Sequence, residues 1–223
     1  MWLISLAVRS ATSSLQRSGA SLQPLRLPIL TLDEQKLTPS MGYVFNKRWL
    51  DPCESLVSIL WKFERVKALP GNVVAWVMGP DIDPYEGVVL QFGSVSVTRL
   101  HCVLGIPYAS LEIGLLHPSQ RRQYSPLFRH CRSCIARGYR SVVHQMLKFN
   151  TSPAYYRQLE TACRRCGYEA PYIVNIRLLE SPYRCAFCGG SYGGGGWAPD
   201  RARPMKPEYR KALTRRYYER HLG

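Results

Sequence analysis

Four cysteines constrain this chain more than any other feature. Cys163-x2-Cys166 and Cys185-x2-Cys188 are separated by eighteen residues. A Cys-x-x-Cys pair sets two thiolates on one tight turn. Two such turns brought together offer four soft ligands at tetrahedral angles, the arrangement Zn²⁺ prefers. The spacing is that of a zinc ribbon, and it predicts small β-hairpins around a Zn²⁺ held by Cys163, Cys166, Cys185 and Cys188. With four thiolates the ion keeps no position for water. Closed sites of this kind hold structure, whereas catalytic zinc leaves a position open. The chain has no nucleophile elbow, no phosphate-cradling glycine loop and no His-Glu-x-x-His helix, so the reading is non-enzymatic.

Six of the eight cysteines fall in three Cys-x-x-Cys pairs. That pattern, with no clear secretory cleavage site before it, points to metal-bound thiolates in a reducing compartment rather than to a disulfide framework. The third pair, Cys131-x2-Cys134, has no mate once the ribbon is closed. Cys131, Cys134 and His144 form a candidate second metal site that lacks a fourth ligand, and a hook without metal is the favoured reading.

The charge is +15, from 30 Lys and Arg against 15 Asp and Glu, and it is clustered. No Asp or Glu occurs from Ile113 to Leu159, a stretch that carries Arg121, Arg122, Arg129, Arg132, Arg137, Arg140, Lys148 and Arg157. A second basic block, Arg201 to Arg220, includes Arg215 and Arg216. Clustered cations point to a polyanion, and DNA is the expected partner. Arg121, Arg122, Arg129, Arg132, Arg137, Arg140, Arg215 and Arg216 are the candidate phosphate contacts. No apolar run is long enough to span a bilayer. The expected location is cytoplasmic and nucleoid-associated.

The fold expected is mainly α, with a helical, helix-turn-helix-like part followed by a Cys-rich zinc-binding part. Residues 1–40 have no acid before Asp33 and carry Arg9, Arg17 and Arg26 among Ser and Leu. They read as a targeting-like or unstructured extension outside the fold. Residues 41–120 read as the helical domain. Asp51 or Glu54 opens a helix with Pro52 in its first turn, and Leu56, Ile59, Leu60, Phe63 and Val66 follow at helical spacing until Leu69-Pro70-Gly71 stops it. A second apolar segment runs from Val73 to Met78. Val97 to Leu116 reads as two helices around Gly105, which fits a helix-turn-helix and a plain helical hairpin equally. The second of these helices has Glu112 and no basic residue. Residues 121–190 read as the zinc-binding domain. Residues 191–223 read as a Gly-rich flexible linker and a basic tail, helix-compatible from Pro207 to His221, either phosphate-binding or merely solvated.

The run Arg129-His130-Cys131-Arg132-Ser133-Cys134-Ile135-Ala136-Arg137-Gly138-Tyr139-Arg140-Ser141-Val142-Val143-His144-Gln145 resembles the central motif of TniQ proteins. That motif is roughly Cys-Pro-x-Cys-Leu, a Gly-Tyr-His-Ser segment and His-Gln. Cys163-Arg164-Arg165-Cys166-Gly167, Pro171-Tyr172, Ser181-Pro182-Tyr183-Arg184-Cys185 and Cys188-Gly189 continue the likeness. Upstream, Glu54-Ser55-Leu56-Val57-Ser58-Ile59-Leu60 is similar to the family's Glu-Ser-Leu-x-Ser-x-Leu helix. The resemblance covers about Asp51 to Gly189. It implies an accessory factor of DNA transposition that helps choose the insertion site and has no nuclease or strand-transfer activity. It also implies helix-turn-helix-like and zinc-binding parts, and partners among transposition proteins, an ATPase regulator or a target-recognition module. A homodimer is compatible with it. The family's Cys-Pro-x-His, which completes a first zinc finger, is replaced here by Ser152-Pro153-Ala154-Tyr155, and its Gly-Tyr-His histidine by Arg140. The implied first finger is therefore degenerate and the second complete. A stand-alone helix-turn-helix regulator and a protein-binding adaptor are the alternatives.

Overall fold

The computed structural model describes residues 45–194 and 197–221, apart from the side chains of 120, 121, 220 and 221. The extension expected at 1–40 lies outside the described residues. Seven α-helices occur among them: α1 Leu56–Lys67, α2 Gly71–Met78, α3 Val97–Leu104, α4 Tyr108–Ile113, α5 Arg132–Ala136, α6 Ile176–Leu179 and α7 Pro207–His221. None is long and apolar enough to cross a membrane.

Helix α1 is the axis of the molecule. Its N-cap is Ser55, whose Oγ accepts the Ser58 N–H, and not Asp51 or Glu54 as the sequence suggested. Glu54 is occupied elsewhere. Its buried carboxylate accepts from Ser58 Oγ at 2.6 Å and lies 2.6 Å from Lys62 Nζ, which also donates to the Trp49 carbonyl at 2.5 Å. Burial raises the Glu54 pKa, and the Lys62 charge opposes that rise. The helix is buried on every side from Leu56 to Phe63, as expected of an element surrounded by others. Trp61 packs on Phe128 and Tyr183 and donates its indole N–H to the Leu178 carbonyl at 2.7 Å.

The segment 97–116 forms two helices around Gly105, as the sequence indicates. Ser96 caps α3, and Gly105 ends it in the left-handed region at φ +65°. Leu100, Leu104 and Leu111 are fully buried. Helix α4 has only six residues, about 9 Å of helix at 1.5 Å per residue.

No strand forms among the described residues, so the expected ribbon hairpins are shorter than the spacing implied. Each Cys-x-x-Cys turn closes on a single antiparallel bridge, Ala162 with Glu169 and Arg184 with Ser191. One apolar cluster runs continuously from Phe45 through α1–α4 to Tyr172, Tyr183 and Trp197, so the boundary expected after residue 120 passes through a shared core. A second cluster joins Cys131, Cys134, Tyr139 and Ala154 to Met205 and Leu213 of the C-terminal segment.

Two residues of the segment read as linker pack against the fold. Tyr192 is buried against His130, with ring centroids 4.3 Å apart. Gly193 lies so close to α5 that a Cβ there would sit 2.6 Å from the Arg132 carbonyl and the Ala136 nitrogen. Here the glycine serves close approach of two backbones rather than flexibility.

Candidate metal centre and basic surface

Two similar turns build the ribbon site. In the first, the Cys163 N–H donates to the Tyr168 carbonyl at 2.9 Å, and the Gly167 N–H donates to the Cys163 carbonyl at 2.7 Å. In the second, Cys185 donates to Gly190 at 2.8 Å and Gly189 to Cys185 at 2.9 Å. Gly167 and Gly189 both lie at positive φ, +74° and +67°. That reversal turns both sulfurs of a pair to the same side. Between the turns the chain is not idle. Asn175 caps α6, and Leu178 and Leu179 are buried in the core, so the inserted residues anchor the site to α1.

Cys163 Sγ lies 3.7 Å from Cys188 Sγ, and Cys166 Sγ 3.8 Å from Cys185 Sγ. All four sulfurs fall within 4.8 Å of one another. Four sulfurs at about 2.3 Å from a tetrahedral Zn²⁺ stand about 3.8 Å apart, and a disulfide would need about 2.05 Å. The set therefore fits a metal ion such as Zn²⁺. Cys163 and Cys185 are buried, Cys188 is half-buried and Cys166 is exposed. Burial works against ionising Cys163, but N–H groups of Cys166 and Arg165 and the neighbouring thiols outweigh it and bring its pKa to about 7. Among the described residues this is the group whose Cys, His or carboxylate ligand atoms converge so closely.

The first hook assembles differently. Cys131 precedes α5 and Cys134 lies within it. Cys134 Sγ is 3.7 Å from His144 Nε2, and Ser152 Oγ is 3.3 Å from both. All four side chains are buried. Ser152 thus stands between Cys134 and His144. A serine hydroxyl is not among the usual zinc ligands, and Cys131, Cys134 and His144 do not draw together within the limit that the ribbon thiols meet. The arrangement is a compact polar cluster inside the second apolar core. Burial lowers the His144 pKa, keeping the imidazole neutral.

No protein-family model and no curated protein matches this chain.

The candidate phosphate contacts divide sharply. Arg140 is fully buried; its Nε donates to the Arg129 carbonyl at 2.9 Å, and its guanidinium bonds Gln145 and lies over the Phe128 and Tyr172 rings. Arg129 is also buried, donating to the Met146 and Phe149 carbonyls at 2.6 and 2.5 Å. Neither guanidinium reaches a partner's phosphate, so both leave the candidate set. Arg122, Arg132, Arg137, Arg215 and Arg216 are exposed, and the side chain of Arg121 lies outside the described residues. Arg132 and Arg157 line an open groove of about 820 Å³ beside the first ribbon turn, together with Arg164, which pairs with Glu160 at 2.8 Å. Two side chains escaped the sequence reading. Lys211 and the exposed ring of Tyr156 face the groove that also holds Arg215 and Arg216. The signal for Tyr156 was its adjacency to Tyr155, which faces inward.

Proposed function

We propose that this chain is a non-enzymatic, zinc-stapled, DNA-associated protein of TniQ type that serves as an accessory, targeting factor in DNA transposition. The observation that carries the reading is the pairing of a four-thiol set at tetrahedral spacing with arginines left on the surface, Arg132 in the groove beside Cys163, Arg122 and Arg137 elsewhere, and Arg215 and Arg216 on α7. The staple fixes the shape and the cations meet phosphate. The role in transposition rests on the resemblance of residues 51–189.

Zinc content and salt dependence test the two halves separately. The purified chain is expected to carry one Zn²⁺, retained in Cys131→Ser and lost in Cys163→Ser. Duplex DNA affinity is expected to fall steeply with salt, and replacing Arg132 or Arg215 by Gln is expected to reduce the salt slope by about one each. Salt-independent binding would remove the phosphate-contact claim.

One observation favours a second reading, a protein-docking adaptor. Tyr168 and Phe187, one from each ribbon turn, stack in the open with centroids 5.4 Å apart. Phe187 is 72% exposed, and clustered exposed rings mark interaction sites. A pull-down of transposition proteins that survives nuclease and high salt would support it. Helix α4, six residues long and without a cation, lends little to the helix-turn-helix regulator reading.

A further inference from the structure

The first hook, deprived of a usual ligand set, still does structural work. Its cluster is where the loop around Ser152 meets α7. Ala154 and Leu213 pack on Cys131 and Cys134, and Tyr155 lies against Tyr209 with centroids 4.8 Å apart. The loop is closed by the Ser152 N–H donating to the Arg157 carbonyl, and the Tyr156 N–H donates to the Ser152 carbonyl, both at 2.8 Å. The result is a cleft of about 450 Å³ between this loop and α7.

The cleft has an unusual wall. Tyr156 sits at φ +53°, a left-handed conformation that costs a bulky residue free energy. The surrounding loop holds it there with the residue 75% exposed. Opposite stand Lys211, Arg215 and Arg216, and no carboxylate is among the lining residues. Glu219, one turn further along α7, takes one contact from each arginine, 2.6 Å from Arg215 Nε and 3.0 Å from Arg216 Nη1. Each guanidinium has five N–H groups, so the contact with Glu219 leaves donors on both arginines that line the cleft. A flat ring facing a row of cations is the pairing that single-stranded nucleic acid uses, with a base on the ring and the phosphates on the cations. Duplex DNA hides its base faces and would use the cations alone. An acidic peptide would use the cations and leave the ring idle.

We propose that the cleft between the Ser152–Tyr156 loop and α7 binds single-stranded nucleic acid, with a base stacked on Tyr156 and the flanking phosphates held by Lys211, Arg215 and Arg216. This deepens the nucleic-acid reading above and rests on it. The test uses the full chain with fluorescein-labelled 12-mers of dT and rU, a mixed-sequence DNA duplex, and a polyglutamate peptide as competitor. Tyr156→Asn is the main variant, because asparagine tolerates the left-handed backbone and the fold is spared. It is expected to weaken 12-mer binding about tenfold and to leave duplex binding unchanged, while Tyr156→Phe behaves as wild type. Arg215→Gln and Arg216→Gln are expected to weaken both ligands. Unequal affinities for dT and rU would say which strand the cleft prefers, and either preference supports it. Wild-type 12-mer affinity in Tyr156→Asn, with duplex binding intact, overturns the cleft and spares the nucleic-acid reading. No salt-dependent binding to any of the nucleic acids overturns both. Polyglutamate binding as tight as the 12-mers, and insensitive to Tyr156→Asn, assigns the cleft to an acidic protein and overturns the proposal.

Discussion

Arg140 occupies a position where water cannot reach it, in the middle of what the sequence presents as a basic stretch. A buried guanidinium is tolerated only when its N–H groups find acceptors. Here the Arg129 carbonyl takes Nε and Gln145 takes Nη2, Nη1 is left without an acceptor beside the Phe128 and Tyr172 rings, and Gln145 donates to the Ser125 and Leu127 carbonyls, both at 2.6 Å. Removing the cation strands these acceptors. Arg140→Ala is expected to cost about 3 kcal/mol or more in urea unfolding, and Arg140→Lys should not restore it, because lysine lacks the planar face that lies on Phe128 and Tyr172. His130 makes a second prediction. It lies between Phe128 and Tyr192, and burial depresses its pKa to about 4 from an ordinary 6.5. The unfolded chain therefore binds a proton between those values that the folded chain refuses. Stability is expected to fall as pH drops from about 6.5 toward 4, by up to about 1.4 kcal/mol per pH unit for this group. His130→Gln should remove that component of the slope in unfolding measured at pH 7, 6 and 5.

At the scale of elements, the ribbon turns and the hook turn show what decides a metal site. All three pairs have the same Cys-x-x-Cys spacing. The two ribbon turns are each followed by a glycine at positive φ and face one another. The hook instead runs into α5 and faces His144 and Ser152. Nothing lies within 4 Å of a Cβ placed at Gly167 or Gly189, so substitution there costs backbone strain alone. Gly167→Val is expected to destabilise the metal-bound turn by about 1–2 kcal/mol, read as a five- to thirty-fold loss in competition with a zinc chelator. Gly167→Asn should lose much less. Equal losses for the two variants would mean that crowding rather than φ sets the cost.

The whole molecule is held by two apolar clusters, and the second of them docks the basic helix. Leu213 is fully buried although α7 is strongly charged. Its neighbours Tyr209 and Tyr217 pack inward on the same stripe, and Asp51 accepts from the Arg210 guanidinium at 2.9 Å. Leu213→Ala is expected to lower stability by about 2–5 kcal/mol. It should also weaken nucleic-acid binding through displacement of α7, with no loss of zinc. Differential scanning calorimetry and metal analysis on the same sample check this. Retained stability would show that the helix is an appendage, as a linker-and-tail organisation would have it.

The sequence by itself determined what local chemistry can specify. Ligand type and spacing marked the four ribbon cysteines, apolar periodicity marked α1 and α3 as helices without showing that α1 is enclosed on every side, and Gly105 marked the turn between α3 and α4. A hook, a stripe and a turn are each written within a few residues. Only the tertiary structure decided which cations face water. Arg132 and Arg140 are the same residue type eight positions apart, yet one is exposed and the other is enclosed by rings and carbonyls, because burial depends on chain brought in from distant positions. For the same reason Ser152 came to lie between Cys134 and His144, Gly193 packed against α5, and Tyr156 came to line one cleft with Lys211. Each of these depends on contacts that neither spacing nor composition encodes.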